Sequence, residues 1–319
     1  ISIIGTASLA GSIRVASLTF FFALCLWAFR GPSQKERAAV AVYYGISGYC
    51  LSVLINPSAP IAPMKSNKVF LHWDLAIGPF LNHNTFATFL GMGLVLGAGL
   101  LLYCDRRNVT LLSSRLMIGA AYLLIFATLL GTQSRAGISA TIIAQVFMLT
   151  KVRARRPLVI LAVILVFSMF LSLFGSGLIE RLVWIARAAT TRIDLYLQVL
   201  EMIKARPFAG FGAGSFPWAY ELFHKPPVAS DFVWNRAHST YLVLWVDYGI
   251  LVGSLPFVAG IFAARQLSNH ARPGSKNCAF AIVALAALVL GGVHSLVDFS
   301  LEIDANSFLL LFLLALGLS

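Results

Sequence analysis

TFATFLGMGLVLGAGLLLYC, residues 85–104, decides the fold class. The stretch carries no charged side chain and is about the ~20 residues that a helix needs to cross ~30 Å of hydrocarbon. Two arginines, Arg106 and Arg107, stand just beyond it. Working outward in both directions, similar apolar blocks recur at 13–29, 38–55, 116–131, 136–150, 157–174, 240–264, 278–293 and 305–318. The chain as a whole is 59% hydrophobic and 11% charged, against roughly 25% charged in a soluble domain. A water-soluble globule is excluded, and an all-α, polytopic transmembrane bundle of about nine spans is expected. The blocks at 136–150 and 305–318 are short for full spans, which neighbouring helices can cover.

The formal charge is +12. In a soluble protein that would raise nucleic acid as a partner; here membrane topology and anionic substrates account for it better. The basic residues fall in every second connector: Arg30, Lys35 and Arg37; Arg106, Arg107 and Arg115; Lys151, Arg153, Arg155 and Arg156; Arg265, Arg272 and Lys276. By the positive-inside rule those connectors are cytoplasmic, the first residues lie outside and Ser319 inside. The four cysteines, Cys25, Cys50, Cys104 and Cys278, have scattered spacings that suggest neither a disulfide framework nor a zinc site. The chain begins with Ile1, and residues 1–12 lack the basic region of a signal peptide, so a piece of a longer protein is expected.

Three regions follow: N-terminal transmembrane helices over 1–174, a long outer loop over 175–238, and C-terminal transmembrane helices over 239–319. In the loop, Leu178, Ile179, Leu182, Val183 and Ile185 form one amphipathic pattern; Leu195, Val199, Met202 and Ile203 form a second. Two helices are expected, the second opened by a capping-box-like pair, Thr191 and Asp194, and ended by Pro207. Gly210, Gly212 and Gly214 read as a tight turn rather than a dinucleotide fingerprint, since no strand precedes them.

The polar residues at the outer boundary carry the chemistry. Arg135 opens a helix that runs inward, so its guanidinium adds to the free N–H groups and positive potential of a helix N-terminus. That is a good diphosphate site, or an arginine snorkelling to headgroups. Arg192 and Arg236 are further cations on that side, with a planar fork suited to phosphate. His238 can take a proton from an attacking hydroxyl or serve as a hydrogen-bonded interfacial histidine. Asp247, within the block at 240–264, needs a partner inside the bundle. His294 and Asp298 are four apart and share a helix face if the helix continues, most simply as a structural pair. Glu302 and Asp304 point to nearly opposite sides of a helix, which disfavours a shared metal ion.

Taken in order, Gly78-Pro79-Phe80-Leu81-Asn82-His83-Asn84-Thr85-Phe86-Ala87, Ser134-Arg135-Ala136-Gly137, Arg192 leading into Pro207-Phe208-Ala209-Gly210-Phe211-Gly212, His238-Ser239-Thr240-Tyr241-Leu242, and His294-Ser295-Leu296-Val297-Asp298-Phe299 with Ala305-Asn306 resemble the O-antigen ligase and polymerase superfamily. The resemblance runs from Gly78 to near the end of the chain. It implies a multi-pass glycosyltransferase of the GT-C type in the bacterial inner (cytoplasmic) membrane, with its active site facing the periplasm. Its essential residues match Arg135, Arg192 and His238 as the catalytic set. Arg236, Asn82, Asn84, His294 and Asp298 fall on the substrate-binding side. Family members carry more spans than the blocks drawn here, so further spans are expected ahead of Ile1. The chain departs from the family's usual residues at His83, Ser239 and Ser300, which bears on acceptor and glycan more than on reaction class.

The implied reaction is transfer of a glycan from an undecaprenyl-diphosphate carrier to an acceptor hydroxyl, inverting and without a metal or other cofactor. A ligase would use an acceptor glycolipid such as lipid A core; a polymerase would use a growing polysaccharide on a second carrier. Transfer to protein is a third form, and a lipid-linked glycan transporter a reading of another class. A transporter predicts ionisable residues at mid-membrane and paired broken helices, whereas here the charges cluster at one face and no internal repeat is visible.

Overall fold

The computed structural model describes residues 3–55, 80, 82–103, 112–151, 178–228, 234–272, 274–275 and 277–319. The apolar block at 157–174, the connector arginines Arg106, Arg107, Arg153, Arg155 and Arg156, and most of the outer segment before Asn82 lie outside them. Every described element is helical: α1 (Ile3–Ala28), α2 (Pro32–Ile55), α3 (His83–Tyr103), α4 (Leu112–Gly131), α5 (Arg135–Thr150), α6 (Leu178–Ala205), α7 (Phe216–Tyr220), α8 (Thr240–Gly253), α9 (Leu255–His270), α10 (Cys278–His294), a 3-10 turn (Ser300–Glu302) and α11 (Asp304–Leu318). Each apolar block within the described residues is therefore helical, the one at 240–264 as two helices.

By length and composition, three of these helices can cross a membrane, Leu9–Ala28, Pro32–Ile55 and His83–Leu101. The pair α8 and α9 makes a fourth if counted as one span bent by 68°. Arg115–Gly131, Arg135–Thr150, Cys278–His294 and Asp304–Leu318 are shorter apolar helices. The chain is a helical membrane protein.

The fold divides into two compact units. One comprises residues 20–151, 262–294 and 300–319. Its central element is α3, whose Phe86, Leu90, Met92, Leu94 and Leu96 are buried against α2, α4, α5, α10 and α11. Glycines let these helices approach closely: a Cβ at Gly97 would lie 2.5 Å from the ring of Tyr43, which is fully buried. Small residues at such crossings are how membrane helices pack, since lipid supplies no hydrophobic drive between them. Asn82 starts α3, its side chain accepting the Asn84 N–H at 2.7 Å. Ser134 caps α5 by accepting the Gly137 N–H at 3.1 Å. Both caps satisfy donors that a helix leaves free at its N-terminus.

The other unit comprises residues 1–19, 152–261 and 295–299. Leu195, Val199, Met202 and Ile203 of α6 pack on Val243 and Val246 of α8, with Phe216 and Tyr220 of α7 closing the cluster. Where two loop helices were expected, α6 runs unbroken from Leu178 to Ala205, through Thr191. No glycine or proline interrupts that stretch, and Ala186, Ala188 and Ala189 favour continuation, so the helix passes through Thr191 without a break. Pro207 ends the helix as expected, because it has no N–H to donate.

The block at 240–264 is broken rather than straight. Gly249 adopts φ 74° and ψ 168° inside α8, and the Pro207–Gly214 turn docks on the opening. Phe211 N–H donates to the Val246 carbonyl (2.8 Å), Gly212 N–H to that of Asp247 (2.9 Å), and Ile250 N–H to that of Pro207 (2.7 Å). The Asp247 carboxylate accepts the Gly214 N–H at 2.7 Å. That is the partner this buried acid required, and it is backbone. Irregular backbone at membrane depth is tolerated where protein covers it in this way.

Candidate active site

In the unit holding residues 152–261 and 295–299, His238 sits on strained backbone. Its φ is 51°, in the left-handed region that non-glycine residues seldom occupy. The adjoining residues are anchored to the 295–299 segment. Thr240 N–H donates to the carbonyls of Ser295 (3.1 Å) and Asp298 (3.2 Å). The Ser239 and Thr240 hydroxyls donate to the same two carbonyls, at 3.2 and 3.3 Å. From α6, the Tyr196 phenol donates to the His238 carbonyl at 2.9 Å and lies 3.3 Å from the Leu296 carbonyl.

The imidazole lies between aromatic rings, edge-on to Trp234 at 6.0 Å and to Phe299 at 5.5 Å. Its Nδ1 is buried with no hydrogen-bond partner among the described residues. Burial, and then the positive charge of Arg192, pull its pKa down to about 4, so the ring is neutral near pH 7. Arg192 lies one helical turn before Tyr196 on α6 and is half-buried. Burial pushes the Tyr196 phenol up; Arg192 opposes and Asp298 reinforces that shift. Arg236 acts electrostatically on Asp247. Arg192, Arg236, His238 and Asp298 thus belong to one body, with Tyr196, Trp234 and Phe299 joining them.

Arg135, Asn82, Asn84 and His294 belong to the other unit. Arg135 is exposed and is the first residue of α5. The Ser134 hydroxyl that caps that helix donates to the Asn84 Oδ1 at 2.6 Å. Asn84 thereby ties the starts of α3 and α5 together beside Arg135. His294 is fully buried, its Nδ1 2.5 Å from the Thr88 hydroxyl and 3.4 Å from that of Ser300. Asn306 donates to the carbonyls of Thr85 and Ser300, both at 2.9 Å. These bonds make His294 part of an interior polar network of the helical unit. The helix that would carry His294 and Asp298 on one face ends at His294, and a turn follows. Glu302 closes the 3-10 turn and Asp304 opens α11. Among the described residues no group of three or more His, Cys, Asp and Glu is placed to hold a metal ion.

Sequence reasoning missed Tyr196, Trp234 and Phe299. For Tyr196 a signal existed: it is four residues after Arg192 and so shares its helix face. For the two rings around His238 there was none, since aromatic residues are frequent throughout the chain.

Residues 120–258 match the model of a family described as O-Antigen ligase. The matched region contains Arg135, Arg192, the glycine turn and His238; the Asn82 and His294 motifs fall outside it. The match bears out the resemblance over the motifs that it contains and supports membership of the O-antigen ligase superfamily. No curated protein matches the chain.

Proposed function

We propose that this O-antigen ligase-like or polymerase-like membrane protein is an inner-membrane glycosyltransferase of the GT-C type, with about nine spans in this sequence. It moves a glycan from an undecaprenyl-diphosphate carrier to an acceptor hydroxyl on the periplasmic side. The observation that carries the reading is His238: a neutral imidazole held on strained backbone in an aromatic pocket, beside the cation Arg192.

In the reaction the acceptor oxygen attacks the anomeric carbon from the face opposite the diphosphate. The bond from that carbon to the phosphate oxygen breaks, and its electron pair leaves with the diphosphate. The acceptor's proton passes to His238. Arg192 and Arg135, with Arg236, hold phosphate oxygens and stabilise the charge that grows on them. A bound diphosphate offsets the field of Arg192, one of the two causes that depress the His238 pKa, so the base strengthens as the donor binds. Arginines stand where other glycosyltransferases use a divalent ion. Ligase and polymerase differ only in the acceptor, glycolipid or second carrier, and the ligase is the preferred form.

Purified protein supplied with a defined lipid-linked glycan and candidate acceptors tests this directly. His238→Ala is expected to lower transfer by ~10² to 10⁴, the usual cost of a lost general base, and Arg135→Ala to abolish it. Arg135→Lys should rescue poorly, because an ammonium lacks the bidentate fork. Near-normal transfer by His238→Ala would remove the histidine from the mechanism.

A further inference from the structure

We propose that Tyr196 is the positioning residue of the transfer reaction: its phenol clamps the His238 carbonyl and holds the imidazole in the strained conformation that aims it at the acceptor. The proposal rests on the reading of His238 as the base. The bond from Tyr196 to His238 is 2.9 Å long and joins α6 to residues that start α8. The same hydroxyl lies 3.3 Å from the Leu296 carbonyl, so one side chain spans two of the segments that meet at the histidine. Thr240 and Ser239 are fixed to Ser295 and Asp298 by their own bonds. At His238 the hydrogen bond goes to the carbonyl, and Nδ1 has no hydrogen-bond partner among the described residues.

A left-handed non-glycine residue relaxes unless its surroundings over-determine it. Without the phenol hydroxyl, the His238 carbonyl loses its hydrogen bond and the backbone at His238 can relax out of the left-handed region. The ring then leaves the pocket of Trp234 and Phe299 for water. The groups around the ring are Arg192 from α6, Trp234 from the preceding segment and Phe299 from residues 295–299, while Asp298 acts on the Tyr196 phenol.

Tyr196→Phe keeps the aromatic ring and removes only the donor. The base works when neutral, so wild-type transfer falls as pH drops through the low pKa of His238, near 4. Release into water raises that pKa toward the ordinary value, and the acid limb of kcat/KM, which reports the free enzyme, moves up by roughly one pH unit or more. At neutral pH kcat falls about fivefold, on the order of one hydrogen bond, with KM for the lipid-linked donor unchanged. A role in folding alone would lower yield and leave the limb in place. The limb does not depend on how much protein accumulates, so a poorly expressed variant still decides the question. An unmoved limb with kcat within about twofold of wild type would overturn the role of Tyr196. His238→Ala, run alongside, separates the two claims: its inactivity with a normal Tyr196→Phe sinks the clamp only, and its activity sinks the base.

Discussion

Gly249→Ala should uncouple the glycine turn from the broken helix. Gly249 has φ 74° and ψ 168°, a conformation that is essentially glycine's alone and costs any other residue ~1–3 kcal/mol. A Cβ there would also press into the Phe208 carbonyl and lie 3.0 Å from that of Pro207. Both are backbone, so relief requires the turn to move away. Moving it breaks or stretches the bonds from Phe211 to Val246, Gly212 to Asp247 and Ile250 to Pro207, and the bond from Gly214 to the Asp247 carboxylate. A buried polar group left without its partner costs ~1–3 kcal/mol. Strain plus one or two such losses gives about 3–6 kcal/mol, a fall in melting temperature on the order of 10 °C. Thermal unfolding of detergent-purified protein measures it. Gly45→Ala and Gly260→Ala serve as controls: both glycines are helical, a Cβ at either meets nothing within 4 Å, and alanine there should be neutral or slightly stabilising. If Gly249→Ala melted within about 2 °C of wild type, the docked turn would not be what holds the break together.

Two further outcomes are expected. Excess EDTA should leave transfer intact, and Glu302→Gln and Asp304→Asn should cost little beside Arg135→Ala; activity lost on chelation and restored by magnesium or manganese would move the centre toward Glu302. For orientation, Ser230→Cys should label from outside and Ser275→Cys only from inside, in a chain cleared of its native cysteines. Labelling of Ser275→Cys in intact cells by an impermeant reagent would reverse the orientation and the periplasmic site.

That the chain is helical and belongs in a membrane was legible from composition and patterning, because a charge-free run such as 85–104 has one way to satisfy its backbone in lipid. The sequence also marked the end of α6 at Pro207, the helix start at Ser134-Arg135, the turn at Gly210, Gly212 and Gly214, and Asp247 as an acid in need of a partner. These are local signals, carried by residues whose backbone preferences or solvation costs act wherever they stand. Tertiary structure decided the rest. The caps at Thr191 and Asp194 give way to a continuous α6, because packing of Leu195, Val199 and Met202 on α8 favours an uninterrupted helix over a local hydrogen bond. The break at Gly249 could not be foreseen from a single glycine in an apolar run, since it exists only because the turn after Pro207 supplies the missing hydrogen bonds. The left-handed turn at His238 and its bond to Tyr196 were equally invisible, because that bond joins residues forty-two positions apart. Spacing in a sequence reports the neighbours along one helix; it carries no record of which carbonyl a distant side chain will reach.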